Sequence, residues 1–195
     1  IVFWFILKWE DVADQPHSDR WLILIAYMVG LSVGVHLLNL LCIPAIVLVY
    51  YFNRKPDATL WGTVGALVLS AVLVALVLYG VVPGIVKVGG WFELLFVNTL
   101  GMKFNTGLII YIVLLVACLV WAIVMTYKEN ITWQKVSFLA SVAFIGIPFF
   151  GHGAGSIICG IVILGALASF LFIGKKNYVR VMNTTLLCLM VMVVG

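Results

Sequence analysis

The chain has 195 residues, 65% of them apolar and 9% charged, with a formal net charge of +4. Soluble domains carry about 25% charged residues, so a mean hydropathy of +1.26 excludes an ordinary soluble domain, and no nucleic-acid partner is expected. Apolar runs of transmembrane length recur between short polar breaks, and the period-2 alternation of a membrane barrel is absent. The expected fold is therefore all-α, a polytopic transmembrane helical bundle.

In chain order, Ile1–Trp9 reads as the end of a span. Glu10–Arg20 is the most polar stretch and is expected in water, with Pro16 breaking any helix and Ser18 or Asp19 capping the next one. Its Glu10, Asp11 and Asp14 are interleaved with Lys8 and Arg20 and read as a solvated loop in preference to a metal site. The run Trp21–Tyr51 has 31 residues and no charge. As one helix it would extend about 46 Å, too long for a core of about 30 Å without strong tilt. Two short helices turning near Gly34–His36 are the alternative. With further spans near 60–82, 107–127, 136–150, 157–173 and 181–195, the hairpin puts nine Lys and Arg on one side and two, Lys87 and Lys103, on the other. A single span leaves seven against four. The positive-inside rule favours the hairpin, giving spans at 1–9, 21–35 and 37–52 and placing His36 and Asn39 at or just below the outer face.

Residues 83–106 read as an outer interfacial segment: a short amphipathic helix, preceded by Gly89–Gly90 and ended by Gly101, with Trp91, Leu94, Leu95 and Phe96 on its apolar side. It is either an anchor between spans or one wall of an outer cavity offering Lys87, Glu93 and Asn98 to polar ligand groups. The turn Gly151–Gly155 has the wrong pattern for a phosphate-cradling loop, but brings His152 to the same face as His36. Cys42, Cys118, Cys159 and Cys188 all lie in apolar segments and read as small apolar residues. No metal ligands are read among these residues, and a divalent-metal requirement of the protein stays open. With no initiator Met and an apolar helix at each end, the chain is expected to be a fragment of a longer protein.

The block R-W-L-I-L-I-A-Y-M-V-G-L-S-V-G-V-H-L-L-N-L-L-C-I-P, the preceding L-K-W-E and the later G-W-F-E-L-L-F-V-N-T-L-G-M-K-F-N-T-G resemble a bacterial membrane family known as a domain of unknown function, related to the protein O-mannosyltransferase-like enzymes of the GT-C class. The resemblance implies a glycosyltransferase of the bacterial cytoplasmic membrane. It would transfer a sugar from a polyprenyl-phosphate donor to a hydroxyl of an acceptor protein or glycan on the outer side. It also implies a catalytic acidic residue in a first outer loop, expected upstream of this fragment; Glu93 is not expected to be the base. Within the fragment, Lys87, His36 and His152 are expected near phosphate, Asn39 and Asn98 near sugar hydroxyls, and Glu93 at the cavity wall. His36 and Asn39, three apart on a helical face, have a plainer alternative: satisfying backbone groups at the turn. A secondary transporter or permease, and a non-catalytic membrane scaffold, are the rival classes. Against transport, the spans from residue 21 onward carry no charged residue.

Overall fold

A computed structural model describes residues 2–35, 37–128, 130–151, 153–173 and 178–194, and these form helices without a strand. The chain is an all-α membrane bundle. Among the described residues, three helical runs are long and apolar enough to cross a membrane: Leu60–Thr99, Thr106–Thr126 and Gly153–Ile173. The chain divides into two compact units, residues 1–75 with 187–195, and residues 76–186.

The first unit contains α1 (Val2–Val12), α2 (Asp19–Val35), a 3-10 turn (Leu37–Leu41), α3 (Cys42–Arg54) and α4 (Leu60–Ala75). Val2, Ile6, Trp9 and Ala13 recur at three- and four-residue spacing, so one face of α1 and its C-terminal turn is apolar. That face is buried against Ile25 and Val29 of α2. Cys42, Ile46 and Val49 of α3 pack on the same cluster, and Trp9 stacks on Tyr50 at 5.3 Å. Burial at roughly 25 cal/mol per Å² makes such aromatic and aliphatic contacts the main source of cohesion in parts facing water, and close packing replaces it in lipid.

The chain reverses between α2 and α3. Helix α2 starts just after Ala13–Asp14, and α3 returns to that same end: Arg54 donates to the Ala13 carbonyl at 3.2 Å and to the Asp14 carboxylate at 3.4 Å. The break has local causes. Pro44 lacks an N–H and its ring would crowd the carbonyl four residues back, so it is tolerated only in the first turn of a helix, where α3 holds it. The carbonyls of the last turn of α2 then lack intrahelical partners, and the Asn39 side chain donates to one of them, Ser32 O, at 3.0 Å. Cysteines introduced at Gln15 and at Lys55, in a chain whose own four cysteines are replaced by alanine, are expected to react with a membrane-impermeant maleimide from the same side. Labelling from opposite sides would contradict the reversal.

The second unit contains α5 (Val82–Leu94), α6 (Thr106–Thr126), α7 (Ile131–Ile145), α8 (Gly153–Ile173) and the first part of α9 (Val179–Val194). Here the helix expected to begin after Gly89–Gly90 begins earlier. Helical structure continues from Leu60 to Thr99, with π turns at Leu76–Val81 and Leu95–Thr99. The first π turn lies immediately before Pro83, where a wider turn accommodates the missing donor. Gly89 and Gly90 lie inside α5 instead of preceding a helix. Gly89 is there for packing: a Cβ on it would lie 3.1–3.4 Å from the Leu108 and Tyr111 side chains. Gly101, at φ +65°, follows the helical run.

Candidate functional site

Lys87, Glu93 and Tyr111 of the second unit attach to a crossing of three helices. Helix α5 meets the C-terminal end of α7 backbone to backbone: a Cβ on Gly84 would lie 2.6 Å from the Gly146 carbonyl carbon, and one on Gly146 would lie 2.5 Å from Gly84 O. Further along α5, Phe92 and Glu93 meet Gly107 at the start of α6 in the same way, with a Cβ at 2.6 Å from Glu93 Cα. Tyr111, fully buried, donates its hydroxyl to Phe144 O at 2.8 Å and so ties α6 to α7. Phe92 packs on Tyr111 and Phe144 at 5.4 and 6.2 Å.

Lys87 projects from α5 toward the connection between α7 and α8. Its ammonium donates to Phe149 O at 2.8 Å, Gly151 O at 2.5 Å and Ser156 Oγ at 3.2 Å. An ammonium has three N–H donors, so these three acceptors use all of them. Two are carbonyls of the α7–α8 connection, and Phe149 O also accepts from Ser156 Oγ at 3.1 Å.

Glu93 projects from the same helix toward the start of α6. Its carboxylate accepts from Asn105 N–H at 2.6 Å and from Leu108 N–H at 2.9 Å, one bond per oxygen. The first N–H groups of a helix lack intrahelical partners and carry partial positive charge. Asn105 sits at φ +68° and makes no side-chain cap bond of its own, so Glu93 supplies the cap from another helix. Six residues of helix separate Lys87 and Glu93, about 240° of rotation, and they bond to different elements. They do not converge on one ligand position.

Asn98 lies in the second π turn and is exposed. Asn39 belongs to the other unit, where one amide N–H bonds Ser32 O; this is the plainer role open to it at the turn. His36 and His152 lie outside the described residues. Among the described residues no three His, Cys, Asp or Glu side chains are grouped as metal ligands. The acidic loop residues Asp11 and Asp14 face Lys8 and Arg54 at 3.5 and 3.4 Å.

Several polar residues that matter to the fold carry little sequence signal. Gln134, Ser137 and Ser141 are buried on α7. The serine hydroxyls donate back to Gln134 O at 3.1 Å and Ser137 O at 2.9 Å, the usual way a hydroxyl is satisfied inside a helix. Asn183 donates to Thr126 Oγ1 at 2.6 Å, tying α9 to the end of α6. The cap at Asn130, which accepts from Trp133 N–H at 3.3 Å, is the kind of signal a sequence does show.

Residues 1–59 match the family model described as the protein O-mannosyl-transferase TMEM260 N-terminal domain. The match covers α1, α2, the 3-10 turn and α3 and ends just before α4. It relates this part of the chain to protein O-mannosyl-transferases. The later block around Trp91–Gly107 lies beyond the matched residues. No curated protein and no solved structure matches the chain.

Proposed function

We propose that this chain is part of a membrane glycosyltransferase of the protein O-mannosyltransferase-like, GT-C type. In this reading it transfers a sugar from a polyprenyl-phosphate donor to an acceptor hydroxyl, in a bacterial cytoplasmic membrane and on the side opposite most of its cations. The observation that carries the reading is the family match over residues 1–59. The apolar helical bundle supports it, since a polyprenyl donor reaches its enzyme through the bilayer.

In the reaction the bond from the sugar anomeric carbon to the phosphate oxygen breaks. A bond from that carbon to the acceptor oxygen forms, the acceptor proton passes to a base, and polyprenyl phosphate departs. Such a step requires a base at the acceptor and positive or hydrogen-bonding groups at the phosphate. We assign the base to no residue of this chain. His36 and Asn39, both within the matched segment, are the proposed donor contacts, with Asn39 Oδ1 as an acceptor for a sugar hydroxyl. Asn98 and His152 are second-rank contacts. Lys87 and Glu93 are proposed to serve the fold, because their hydrogen bonds within the protein already account for them.

The test is transfer of labelled sugar from a polyprenyl-phosphate donor to a Ser/Thr peptide in membranes containing the full-length protein to which this chain belongs. Transfer above membranes lacking it is the expected result. Absence of transfer from folded protein with any such donor would overturn the proposal, and sugar flux into vesicles without transfer would replace it with transport.

A further inference from the structure

Residues 100–105 join the helical run Leu60–Thr99 to α6, and every one of them is exposed. Leu100, Met102 and Phe104 are large and apolar, at 60%, 44% and 85% exposure. A contiguous exposed apolar patch, unlike a scattered surface leucine, marks an interaction surface. The backbone is built to present it. Gly101 N–H donates to Val97 O and Met102 N–H to Phe96 O, both at 3.1 Å, which turns the chain out of the helix. Gly101 and Asn105 take left-handed conformations, at φ +65° and +68°, and for an L-residue such as asparagine that conformation is costly. Asn105 is held in it by Glu93 Oε1, which accepts its N–H at 2.6 Å, and Thr106 N–H donates to Lys103 O at 3.2 Å. The loop is pinned at both ends with its apolar side chains on the outside.

Its place in the fold says what covers it. Helix α6, which the loop enters, has 21 residues, is about 31 Å long and is apolar enough to cross a bilayer. The loop therefore stands at one end of a span, where headgroups meet acyl chains. The exposed apolar surface resumes past Gly107 with Leu108, Ile109, Ile112 and Val113 of the span itself. Lys103 lies between Met102 and Phe104, exposed, and among the described residues no carboxylate pairs with it. Apolar side chains around an unpaired cation at the end of a span complement an anionic leaflet, with methylenes and rings inward and the ammonium at the phosphates.

We infer that the loop 100–105 is a membrane hook: Leu100, Met102 and Phe104 enter the acyl boundary of the leaflet around the start of α6, and Lys103 meets the phosphates of its anionic phospholipids. The hook lies beyond the amphipathic helix that the sequence points to. Through the Glu93 bonds to Asn105 and Leu108 it ties α5 to the same level of the bilayer. The inference is independent of the sugar-transfer reading.

The experiment uses the whole chain in lipid nanodiscs, both faces of which meet solvent. The four native cysteines are replaced by alanine, and an environment-sensitive nitrobenzoxadiazole label is attached at Phe104→Cys. The label is expected to be quenched by lipids brominated near the top of the acyl chain and shielded from aqueous iodide. The same label at Gln15→Cys, in an exposed polar loop, is expected to show the reverse. With a small, equal fraction of brominated phosphatidylglycerol or brominated phosphatidylcholine in a phosphatidylcholine disc, quenching at position 104 is expected to favour the anionic lipid about fivefold, the effect of one lysine near an anionic surface. Lys103→Gln is expected to remove that preference while leaving the depth of the label unchanged. Iodide quenching at position 104 equal to that at position 15, without quenching by brominated lipid, would overturn the inference and make the loop a surface for a partner in water. Equal quenching by the two brominated lipids, or a preference that survives Lys103→Gln, would overturn the assignment to anionic lipid.

Discussion

Gly146→Ala is expected to remove most of the folded protein. Gly146 ends α7 at φ +84°, where an L-residue costs about 1–2 kcal/mol through contact of its Cβ with the neighbouring carbonyl. The added carbon would also lie 2.5–2.7 Å from the O, C and Cα of Gly84, and backbone atoms cannot rotate away as a side chain does. Relieving that overlap requires α5 and α7 to separate, which adds about 1–3 kcal/mol of overpacking. The sum, about 2–5 kcal/mol, is a large share of a stability of about 5–15 kcal/mol. Gly165→Ala in α8 is the control. A Cβ there meets nothing within 4 Å, and alanine is favoured over glycine in a helix by about 1 kcal/mol. Thermal unfolding followed by recovery of monodisperse protein in detergent checks both, with Gly146→Ala falling well below the parent and Gly165→Ala at or slightly above it.

Glu93→Ala and Lys87→Met are expected to lower stability by about 2–4 kcal/mol each, because each leaves charged-group hydrogen bonds unmade and orphans backbone atoms at a helix or turn end. Glu93→Gln retains one acceptor oxygen and is expected to cost about half as much as Glu93→Ala. The two residues share α5 but no partner, so the losses are expected to add in the double variant. Melting temperatures of the singles and the double check this, and a double variant no worse than either single would show that the two act as one site.

The membrane class and most helix positions are legible in the residues, because apolar run length and polar breaks are local signals. The charge asymmetry of Lys8, Arg20 and Arg54 points to a reversal between α2 and α3, and Arg54 beside Ala13 and Asp14 is the contact that accompanies it. The helix start within 83–106 is read too late for a physical reason. Pro83, Gly89 and Gly90 read locally as helix breakers, whereas a π turn absorbs the proline and tertiary packing against Leu108 and Tyr111 occupies the space at Gly89. The Gly84–Gly146 crossing has no local signature, since 62 residues separate its two members. Lys87 and Glu93 stand out because charge is rare in this chain; their partners are mostly backbone atoms on distant elements, and backbone carries no sequence label.

The most direct test of the division between donor-contacting and fold-serving residues is the transfer rate per folded molecule of Asn39→Ala and Glu93→Gln, measured in the same membranes with the same polyprenyl-phosphate donor. Asn39→Ala is expected to lower turnover about tenfold, the rate equivalent of one lost hydrogen bond. Glu93→Gln is expected to lower the amount of folded protein while leaving turnover per folded molecule within about twofold of the parent. Undiminished turnover in Asn39→Ala together with a collapse of turnover in folded Glu93→Gln would contradict the account and move the site to α5.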